Sequence, residues 1–392
     1  MIVKRKLTKH IKKMLKQFPI VSITGPRHAG KTTLLKSFFP EYKYYNLERI
    51  DYRELIRNDI MGFLTNTGPY VIFDEAQNLP ELFSYIQVIS DERNTPGQYI
   101  LSGSQSFLLN EHISQSLAGR VNVNHLFPFD ITELSKFKKL NHFQLILNGF
   151  YPRIYDSNIA ASDFYPSYLQ TYIERDVRTL KAISNLNLFT RFLGLCAGRI
   201  GQVLNLTSLA NDTGITVNTA KSWLSLLETS FIIYLLQPYY RNFSKRLIKA
   251  PKLYFYDTGV AASLLKLTNS EMISNHYSYG SLFENLVLSE IIKSQTHLGK
   301  HPSIYYWRES NGVEIDCIIE KSDSKILALE IKGGQTFNMD YIKNLKNFPH
   351  KETNLAVEKI LIYAGDNATN SNDIKITTWD KFPSMLEKQL AT

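Results

Sequence analysis

The stretch that decides the fold is Gly25-Pro26-Arg27-His28-Ala29-Gly30-Lys31-Thr32. It follows a short apolar run, Ile20–Thr24, and precedes a predicted helix at Thr32–Phe39. The two glycines let the backbone curl so that successive N–H groups converge on phosphate oxygens, and the helix N-terminus adds the positive end of its dipole. A glycine turn with an exposed lysine is the simpler alternative. The strand–loop–helix setting instead predicts a phosphate-binding loop.

The residues of this loop have separate predicted roles. Lys31 is expected to reach the β- and γ-phosphates of ATP, and the hydroxyl of Thr32 is expected to bind Mg²⁺. ATP and Mg²⁺ are therefore the predicted cofactors. The predicted nucleotide-binding residues are Gly25, Pro26, Arg27, His28, Ala29, Gly30, Lys31, Thr32 and Thr33.

A second acidic motif, Tyr70-Val71-Ile72-Phe73-Asp74-Glu75, ends another apolar run. Its position predicts that Asp74 lies beside the Mg²⁺ ion and that Glu75 polarises the water that attacks the γ-phosphate. The alternative is an acidic pair that caps a helix. Together with the loop, the pair indicates hydrolysis rather than binding alone.

Further residues are candidates for sensing the γ-phosphate or for stabilising charge in the transition state. Ser104 and Gln105 follow the run Leu101–Gly103, where a sensor and ordinary turn chemistry are both open. An arginine supplied by a neighbouring subunit is common in oligomeric ATPases. The candidates here are Arg120, Arg175 and Arg178, each of which is also explained as a surface or ion-paired arginine.

Composition limits the class of protein. The chain has 392 residues, a hydrophobic content of 44%, a formal charge of +9 and two cysteines. These values predict a folded chain of several domains, a weak preference for a polyanion partner such as nucleic acid, and a reducing cytoplasm. No apolar run approaches the ~20 residues of a membrane helix. We therefore expect a soluble cytoplasmic protein with no membrane partner.

Strands and helices alternate through the first third of the chain, which predicts a parallel sheet covered on both faces. The predicted strands are Ile20–Thr24, Tyr42–Asn46, Tyr70–Asp74, Tyr99–Ser102 and Val121–Leu126. A helical stretch follows at about 141–198. Leu206–Thr213, Thr216–Glu228 and a strand at Phe231–Pro238 then resemble a helix-turn-helix with a wing.

The wing region has a basic flank, contributed by Lys221, Arg241, Lys245, Arg246 and Lys249. DNA contact is the favoured interpretation, although many such modules dock proteins instead.

Acidic residues recur in a fixed order near the C-terminus. Glu284 lies on a predicted helix at Leu282–Lys293, and Asp316 lies on a predicted strand at Val313–Ile319. Glu330 and Lys332 alternate on the strand Ile326–Lys332, so their side chains share one face. Predicted helix Asp340–Asn347 and strand Lys359–Tyr363 follow.

These residues predict a metal-dependent phosphodiesterase site. Asp316, Glu330 and Glu284 are the predicted ligands of Mg²⁺ or Mn²⁺, and Lys332 positions or activates the attacking water. The alternative is a set of solvated charges at a sheet edge.

The order of these motifs resembles a large prokaryotic family of AAA-type ATPases that carry a C-terminal domain of unknown function. The matching segments also include Leu117–Arg120, Tyr172–Val177 and Lys252–Gly259, so the resemblance covers nearly the whole chain. It implies ATP binding at Gly25–Thr33, a winged helix, and PD-(D/E)xK nuclease-like geometry at Glu284, Asp316, Glu330 and Lys332. His28 stands where the family loop carries glutamine, but its backbone N–H still serves the phosphate.

The predicted fold class is α/β with four parts: an AAA-type P-loop ATPase core at 1–140, a helical lid at 141–198, a winged helix at 199–250 and a PD-(D/E)xK-like domain at 251–392. The leading hypothesis is an ATPase that acts on nucleic acid, DNA being favoured, as a possible homo-oligomer. Its rival is a nucleotide-switched interaction protein with a catalytically silent C-terminal fold. A third hypothesis, an ATPase acting on proteins, lacks any recognisable pore-loop signature.

Overall fold

The computed structural model describes residues 2–104, 109, 113, 116–173, 183, 185–239, 250–309, 312–322, 325–348, 356–371 and 373–391. The chain forms two compact units. The first comprises Met1–Phe129, Tyr151–Asp156 and Thr296–Lys300, and the second comprises Asp130–Phe150, Ser157–Gln295 and His301–Thr392. Within the ranges given, no helix is long and apolar enough to cross a membrane.

The elements follow in chain order. The helices are α1 (Leu7–Met14), α2 (Lys31–Phe38), α3 (Ile50–Asn58), α4 (Ile60–Thr67), α5 (Glu81–Arg93), α6 (Ile131–Leu134), α7 (His142–Asn148), α8 (Pro152–Asp156), α9 (Ala161–Tyr172), α10 (Leu186–Ala197), α11 (Leu206–Thr213), α12 (Val217–Thr229), α13 (Thr258–Leu264), α14 (Ser270–Asn275), α15 (Tyr279–His297), α16 (Lys343–Asn347) and α17 (Phe382–Ala391). The strands are β1 (Ile20–Thr24), β2 (Lys43–Asn46), β3 (Val71–Asp74), β4 (Tyr99–Gly103), β5 (Val121–His125), β6 (Ile233–Leu236), β7 (Lys252–Phe255), β8 (Ile304–Arg308), β9 (Glu314–Ser322), β10 (Lys325–Lys332), β11 (Ala356–Tyr363), β12 (Thr369–Ser371) and β13 (Ile374–Thr378).

The first unit is built on a five-stranded sheet with the order β2-β3-β4-β1-β5. Every pairing in it is parallel, so the predicted parallel sheet is confirmed. Side chains that alternate along the strands supply two separate cores: Phe73 and Leu101 belong to one, whereas Ile72 and Ile100 belong to the other. Burial on both faces explains why these strands read as continuous apolar runs. The carboxyl ends of β1, β3 and β4 therefore lie side by side.

The second unit contains the predicted helix-turn-helix pattern. Helices α11 and α12 are separated by Gly214, whose φ of +85° lies in the left-handed region that glycine adopts without strain. Strands β6 and β7 then form an antiparallel hairpin. Of the predicted basic flank, Lys221 lies exposed on α12, and the other four members fall outside the described residues: Arg241, Lys245, Arg246 and Lys249.

The C-terminal part of the second unit is a six-stranded sheet with the order β12-β13-β11-β10-β9-β8. Strands β8, β9 and β10 pair antiparallel in succession, and β11 lies parallel to β10. Helix α15 precedes β8, and α16 connects β10 to β11. The single helix predicted at Asp340–Asn347 is instead a 3-10 turn, Met339–Ile342, followed by α16. The turn forms because the Asn338 side chain caps it by accepting from the Asp340 N–H.

Candidate nucleotide and carboxylate sites

The phosphate-binding loop joins β1 to α2 and depends on glycine at two positions. Gly25 has a φ of +149°, and a Cβ atom there would lie 2.1 Å from the carbonyl oxygen of Leu126. Gly30, which precedes α2, has a φ of +99°. Only glycine takes both conformations without strain or collision. The loop backbone thus turns sharply at the N-terminus of α2, where anions bind well.

Hydroxyl groups from three elements converge on the carboxylate of Asp74. Thr32 Oγ1 donates to Asp74 Oδ2 over 2.6 Å, and the Tyr44 hydroxyl donates to the same oxygen over 2.5 Å. Ser102 Oγ donates to Asp74 Oδ1. Burial, followed by the hydrogen bond to Asp74, raises the pKa of Tyr44, so its proton stays in place as a donor. The predicted Mg²⁺ ligands Thr32 and Asp74 are therefore adjacent and their orientations are fixed.

Lys31 is buried at the base of the same loop. Its Nζ atom donates to the carbonyl oxygens of Gly25 and Pro26, over 2.7 and 2.9 Å. These bonds hold the ammonium group inside the curve of the loop, beside the backbone N–H groups of the α2 N-terminus. The lysine thus occupies the position from which its ammonium group can contact phosphate oxygens.

Glu75 adopts a left-handed backbone conformation, with a φ of +55°. This region is uncommon for residues other than glycine and is often found at functional sites. Its Oε2 atom accepts from Gln77 Nε2 over 2.6 Å and from Ser104 Oγ over 2.8 Å. The predicted sensor Ser104 therefore contacts the predicted general base directly. The other sensor candidate, Gln105, lies outside the described residues.

Arg5 is a buried arginine that contacts the phosphate-binding loop, and only 4% of its surface is exposed. Its guanidinium group donates to the carbonyl oxygens of Ala29, over 2.8 Å, and Phe127, over 2.6 Å. It also donates to Pro128 and lies 5.0 Å from the ring centroid of Phe129. Arg5 thus joins the loop to the segment that follows β5.

His28 and the candidate arginines have distinct surroundings. Burial, followed by the charges of Arg153, Arg27 and Lys31, lowers the pKa of His28. A neutral ring at this point adds no further charge to the loop. Arg120 forms a two-pronged ion pair with Asp91, over 2.6 and 2.8 Å. The other two arginine candidates, Arg175 and Arg178, fall in a part of the chain that the structure does not describe.

The ordered C-terminal residues meet in the second unit. Lys332 Nζ lies 2.7 Å from Glu330 Oε1 and 3.4 Å from Asp316 Oδ2. Asp316 also accepts from the backbone N–H of Ile331 over 2.8 Å, and Asn344 Nδ2 donates to Glu330 over 3.2 Å. Glu330 Oε2 is buried and has no hydrogen-bond partner among the described residues.

Glu284 is held by residues of strand β7. The sequence motifs did not predict this contact. The Tyr254 hydroxyl donates to Glu284 Oε1, and Lys252 Nζ lies 3.6 Å from the same oxygen. Lys252 also forms an ion pair with Glu314, the first residue of β9. We call Glu284, Glu314, Asp316, Glu330, Lys252 and Lys332 the carboxylate cluster.

Burial and mutual repulsion raise the pKa values of two acids in the carboxylate cluster. Burial, followed by the charge of Asp316, raises the pKa of Glu284 to about 7 and that of Glu330 to about 8. Burial opposes the charge of each lysine, but the surrounding carboxylates outweigh it and raise the pKa of Lys252 and Lys332. Both lysines are therefore charged near neutral pH. The unpaired Oε2 atom of Glu330 is an oxygen ligand that suits a hard divalent cation.

Sequence reasoning missed several residues that the structure brings to the two sites: Arg5, Tyr44, Ser102, Lys252, Tyr254, Glu314 and Asn344. Ser102 lies within Leu101–Gly103 and Lys252 within Lys252–Gly259, but no neighbouring residue in the sequence identifies the side chain that each contacts. Tyr44 lies on β2, which pairs with β3, and its register partner is Ile72, two residues before Asp74. Its hydroxyl reaches Asp74 only because the side chain extends along the sheet, which no local pattern indicates.

Three family models match successive parts of the chain. Residues 17–135 match an "AAA domain", residues 140–271 match a "domain of unknown function (DUF8612)" and residues 279–382 match a "domain of unknown function (DUF4143)". The first match coincides with the parallel sheet and its glycine-rich loop. The N-terminal part therefore resembles an AAA-type P-loop domain.

Two similar proteins span most of the chain. A protein of Mycobacterium tuberculosis, described as uncharacterized, is 28% identical over 341 residues, covering 86% of this chain and 75% of its own. A protein of Methanocaldococcus jannaschii, described in the same way, is 24% identical over 398 residues, covering 92% of this chain and 84% of its own. The similarity of both relatives thus extends over most of this chain.

Solved structures resemble the chain more distantly. The Walker-type ATPase PABY2304 of Pyrococcus abyssi is 16% identical with a TM-score of 0.42, covering 67% of this chain and 96% of its own. AMPPCP-bound DnaA of Aquifex aeolicus is 14% identical with a TM-score of 0.29, covering 57% of this chain and 85% of its own.

Proposed function

We propose that the protein is a Mg²⁺-dependent ATPase whose C-terminal region binds nucleic acid, with DNA favoured, and hydrolyses its phosphodiester bonds. One observation carries the second half of the proposal. Helix α15, the antiparallel strands β8–β10, helix α16 and the parallel strand β11 follow each other in the order of a PD-(D/E)xK core. Within that order Asp316 and Glu330 both lie within 3.4 Å of Lys332 Nζ.

In the ATPase half, residues of the loop and of the adjacent strand ends have separate roles. Lys31 exchanges the carbonyls of Gly25 and Pro26 for phosphate oxygens, and the α2 N-terminus donates backbone N–H groups. Thr32 and Asp74 would hold Mg²⁺, because they present two oxygen atoms 2.6 Å apart, and the ion would supply positive charge to neutralise the phosphates. Glu75 accepts the proton of the attacking water, with its carboxylate held by Ser104.

In the C-terminal half, the carboxylate cluster supplies the chemistry. Asp316 and Glu330 would hold a divalent ion, and the unpaired Oε2 of Glu330 gives it a ligand atom that nothing else uses. The chemistry that such an ion would supply is polarisation of the phosphodiester and stabilisation of charge in the transition state. Lys332 holds the attacking water near Glu330. Glu284 lies on the other side of the cluster, beside Lys252. Helices α11 and α12 with the β6–β7 hairpin would act as a winged helix that presents the DNA.

The oligomeric state forms part of the proposal. An arginine from a neighbouring copy would complete the ATP site, and Arg120, Arg175 and Arg178 are the candidates. Arg120 would have to leave Asp91, with which it pairs across 2.6 Å. The pair is exposed, and solvent screening makes it easy to break.

A second function, a nucleotide-switched interaction protein with a silent C-terminal fold, is favoured by the surface of α12. This helix carries one basic residue, Lys221, and one acidic residue, Glu228, over 13 residues. Helices that bind DNA phosphates usually carry several cations, because phosphate contacts dominate the affinity. A nearly neutral helix is better suited to contact with another protein.

The two functions are separated by following ATP turnover and nucleic-acid cleavage in the same reactions, with and without DNA and RNA. Lys31→Ala is expected to abolish ATP turnover, and Asp316→Asn is expected to abolish Mg²⁺- or Mn²⁺-dependent cleavage while ATP turnover persists. Asp373→Asn, which removes an exposed carboxylate paired with Lys359, is the control. Wild-type turnover by Lys31→Ala would refute the ATPase, and absence of cleavage by the unaltered protein on every substrate would favour the interaction protein.

A further inference from the structure

Strand β7 brings a buried lysine into the carboxylate cluster. Lys252 is 4% exposed, and its Nζ atom lies 3.6 Å from Glu284 Oε1 and pairs with Glu314. Its ammonium group also lies 5.5 Å from the ring centroid of Tyr306. The lysine begins the segment Lys252–Gly259, to which neither half of the proposed function gives a role.

The position of Lys252 is fixed by the backbone of β7. Asn285, next to Glu284 on α15, accepts from the Phe255 N–H over 2.7 Å and donates to the Phe255 carbonyl over 2.9 Å. Tyr254 lies two residues after Lys252, so the two side chains emerge on one face of the strand. Both contact Glu284. The backbone of β7 therefore places Lys252 beside Glu284, and two carboxylates hold its ammonium group there.

Each of the two lysines contacts a different pair of carboxylates. Lys332 lies between Asp316 and Glu330, and Lys252 lies between Glu284 and Glu314. On the Lys252 side, Glu284 is already bonded to Tyr254 and the lysine. The other side differs because the Oε2 atom of buried Glu330 has no partner among the described residues.

The charges of the cluster indicate how many divalent ions it can hold. The four carboxylates and two ammonium groups of the carboxylate cluster leave an excess of two negative charges when all are ionised. One divalent cation balances this excess, whereas a second would leave two uncompensated positive charges in a buried site. Arg308 lies 3.6 Å from Glu314, but its side chain is 55% exposed and is screened by solvent.

We propose that Lys252 is a fixed cation that takes the place of a second metal ion, so that the cluster binds one divalent cation, on the Asp316 and Glu330 side. The inference rests on the proposed metal-dependent function of this cluster and adds the number of ions. It also makes β7, one strand of the hairpin, part of the metal site.

The test is a count of bound Mn²⁺ in the nucleotide-free full chain, by equilibrium dialysis and electron paramagnetic resonance. Ions of the cluster are those that the Asp316→Asn variant loses. We expect one per chain in the unaltered protein and two in Lys252→Met, which keeps the length of the side chain but removes its charge. Lys359→Met is the matched control, because Lys359 is 5% exposed and pairs with Asp373 over 3.5 Å; it should keep one ion.

The outcomes distinguish the inference from the function on which it rests. Two Asp316-dependent ions in the unaltered protein, or one in Lys252→Met, would overturn the role of Lys252 and leave the metal-dependent function standing. No Asp316-dependent ion in the unaltered protein would overturn both. Should Lys252→Met fail to fold by circular dichroism, the spectrum of the unaltered protein decides. An isolated bound Mn²⁺ gives a single six-line hyperfine pattern, whereas two coupled ions give a broadened pattern with additional, more closely spaced lines.

Discussion

The hydroxyl of Tyr44 donates a 2.5 Å hydrogen bond to Oδ2 of Asp74, the oxygen that also accepts from Thr32. Tyr44 therefore orients the predicted Mg²⁺ ligand although it comes from β2, a different strand. Groups that orient a metal ligand typically contribute 10–100-fold to metal affinity.

Tyr44→Phe should therefore raise the Mg²⁺ concentration needed for half-maximal ATP turnover by about tenfold or more. Mg²⁺ titration of the turnover rate measures the effect. The neighbouring Tyr45→Phe is a suitable control, because the Tyr45 ring packs on Phe63 and Phe73 in the core. An unchanged Mg²⁺ midpoint in Tyr44→Phe would show that Thr32 and Ser102 suffice to orient Asp74.

Replacement of Glu75 separates nucleotide binding from hydrolysis. Glu75→Gln keeps the shape of the side chain but removes the base, so ATP turnover should fall by about 100-fold or more while ATP still binds. Fluorescent ATP binding and phosphate release measure the two effects. Glu81→Gln, an acidic residue that is exposed at the start of α5, should leave both unchanged. Equal losses of binding and turnover in Glu75→Gln would indicate a structural role instead.

Arg5 couples the stability of the first unit to the shape of its loop. Arg5→Met removes the donors to the carbonyls of Ala29, Phe127 and Pro128 and leaves these groups buried. Buried polar groups without partners cost about 1–3 kcal/mol each, so we expect a destabilisation of about 3 kcal/mol and weaker ATP binding. Thermal unfolding and fluorescent ATP binding measure the two losses. Lys9→Met, at an exposed position of α1, should change neither.

His142 should make the second unit sensitive to acid. Its Nε2 atom lies 3.0 Å from the Tyr279 hydroxyl, which itself donates to the Gly333 carbonyl over 2.7 Å. Burial lowers the pKa of His142 from 6.5 to about 4. The folded unit therefore favours the neutral ring, and the unfolded chain takes up a proton first as the pH falls.

The free energy of unfolding should accordingly rise between pH 4 and pH 6.5 and stay level above it. The full change in pKa corresponds to about 3.5 kcal/mol at 1.4 kcal/mol per pKa unit, and solvent screening makes the expected contribution smaller. Urea unfolding followed by tryptophan fluorescence reports on this unit, because Trp223, Trp307 and Trp379 all belong to it. His142→Phe should flatten the dependence, whereas the exposed His301→Gln should not. An equal slope in His142→Phe would assign the acid sensitivity to other groups.

Much of the first site could be predicted from the sequence because its determinants are local. Gly25, Gly30 and Lys31 lie within one loop, and their spacing follows from the backbone conformation that the loop must adopt. The apolar runs also predicted the central strands β1, β3 and β4, since strands buried on both faces leave a continuous apolar signature. The order of the C-terminal acids along helix, strand and strand likewise indicated that they would meet.

Local pattern was enough to predict the phosphate-binding loop, the parallel sheet and the candidate acids at Asp316 and Glu330, because each depends on the period or spacing of neighbouring residues. The contacts of Tyr44 with Asp74 and of Lys252 with Glu284 become apparent only in the folded chain. Those pairs come from elements that are distant in sequence, and their contact depends on strand order and helix packing, which leave no local pattern. The loop is therefore defined by its own residues, whereas the charge of the carboxylate cluster depends on a lysine supplied by another strand.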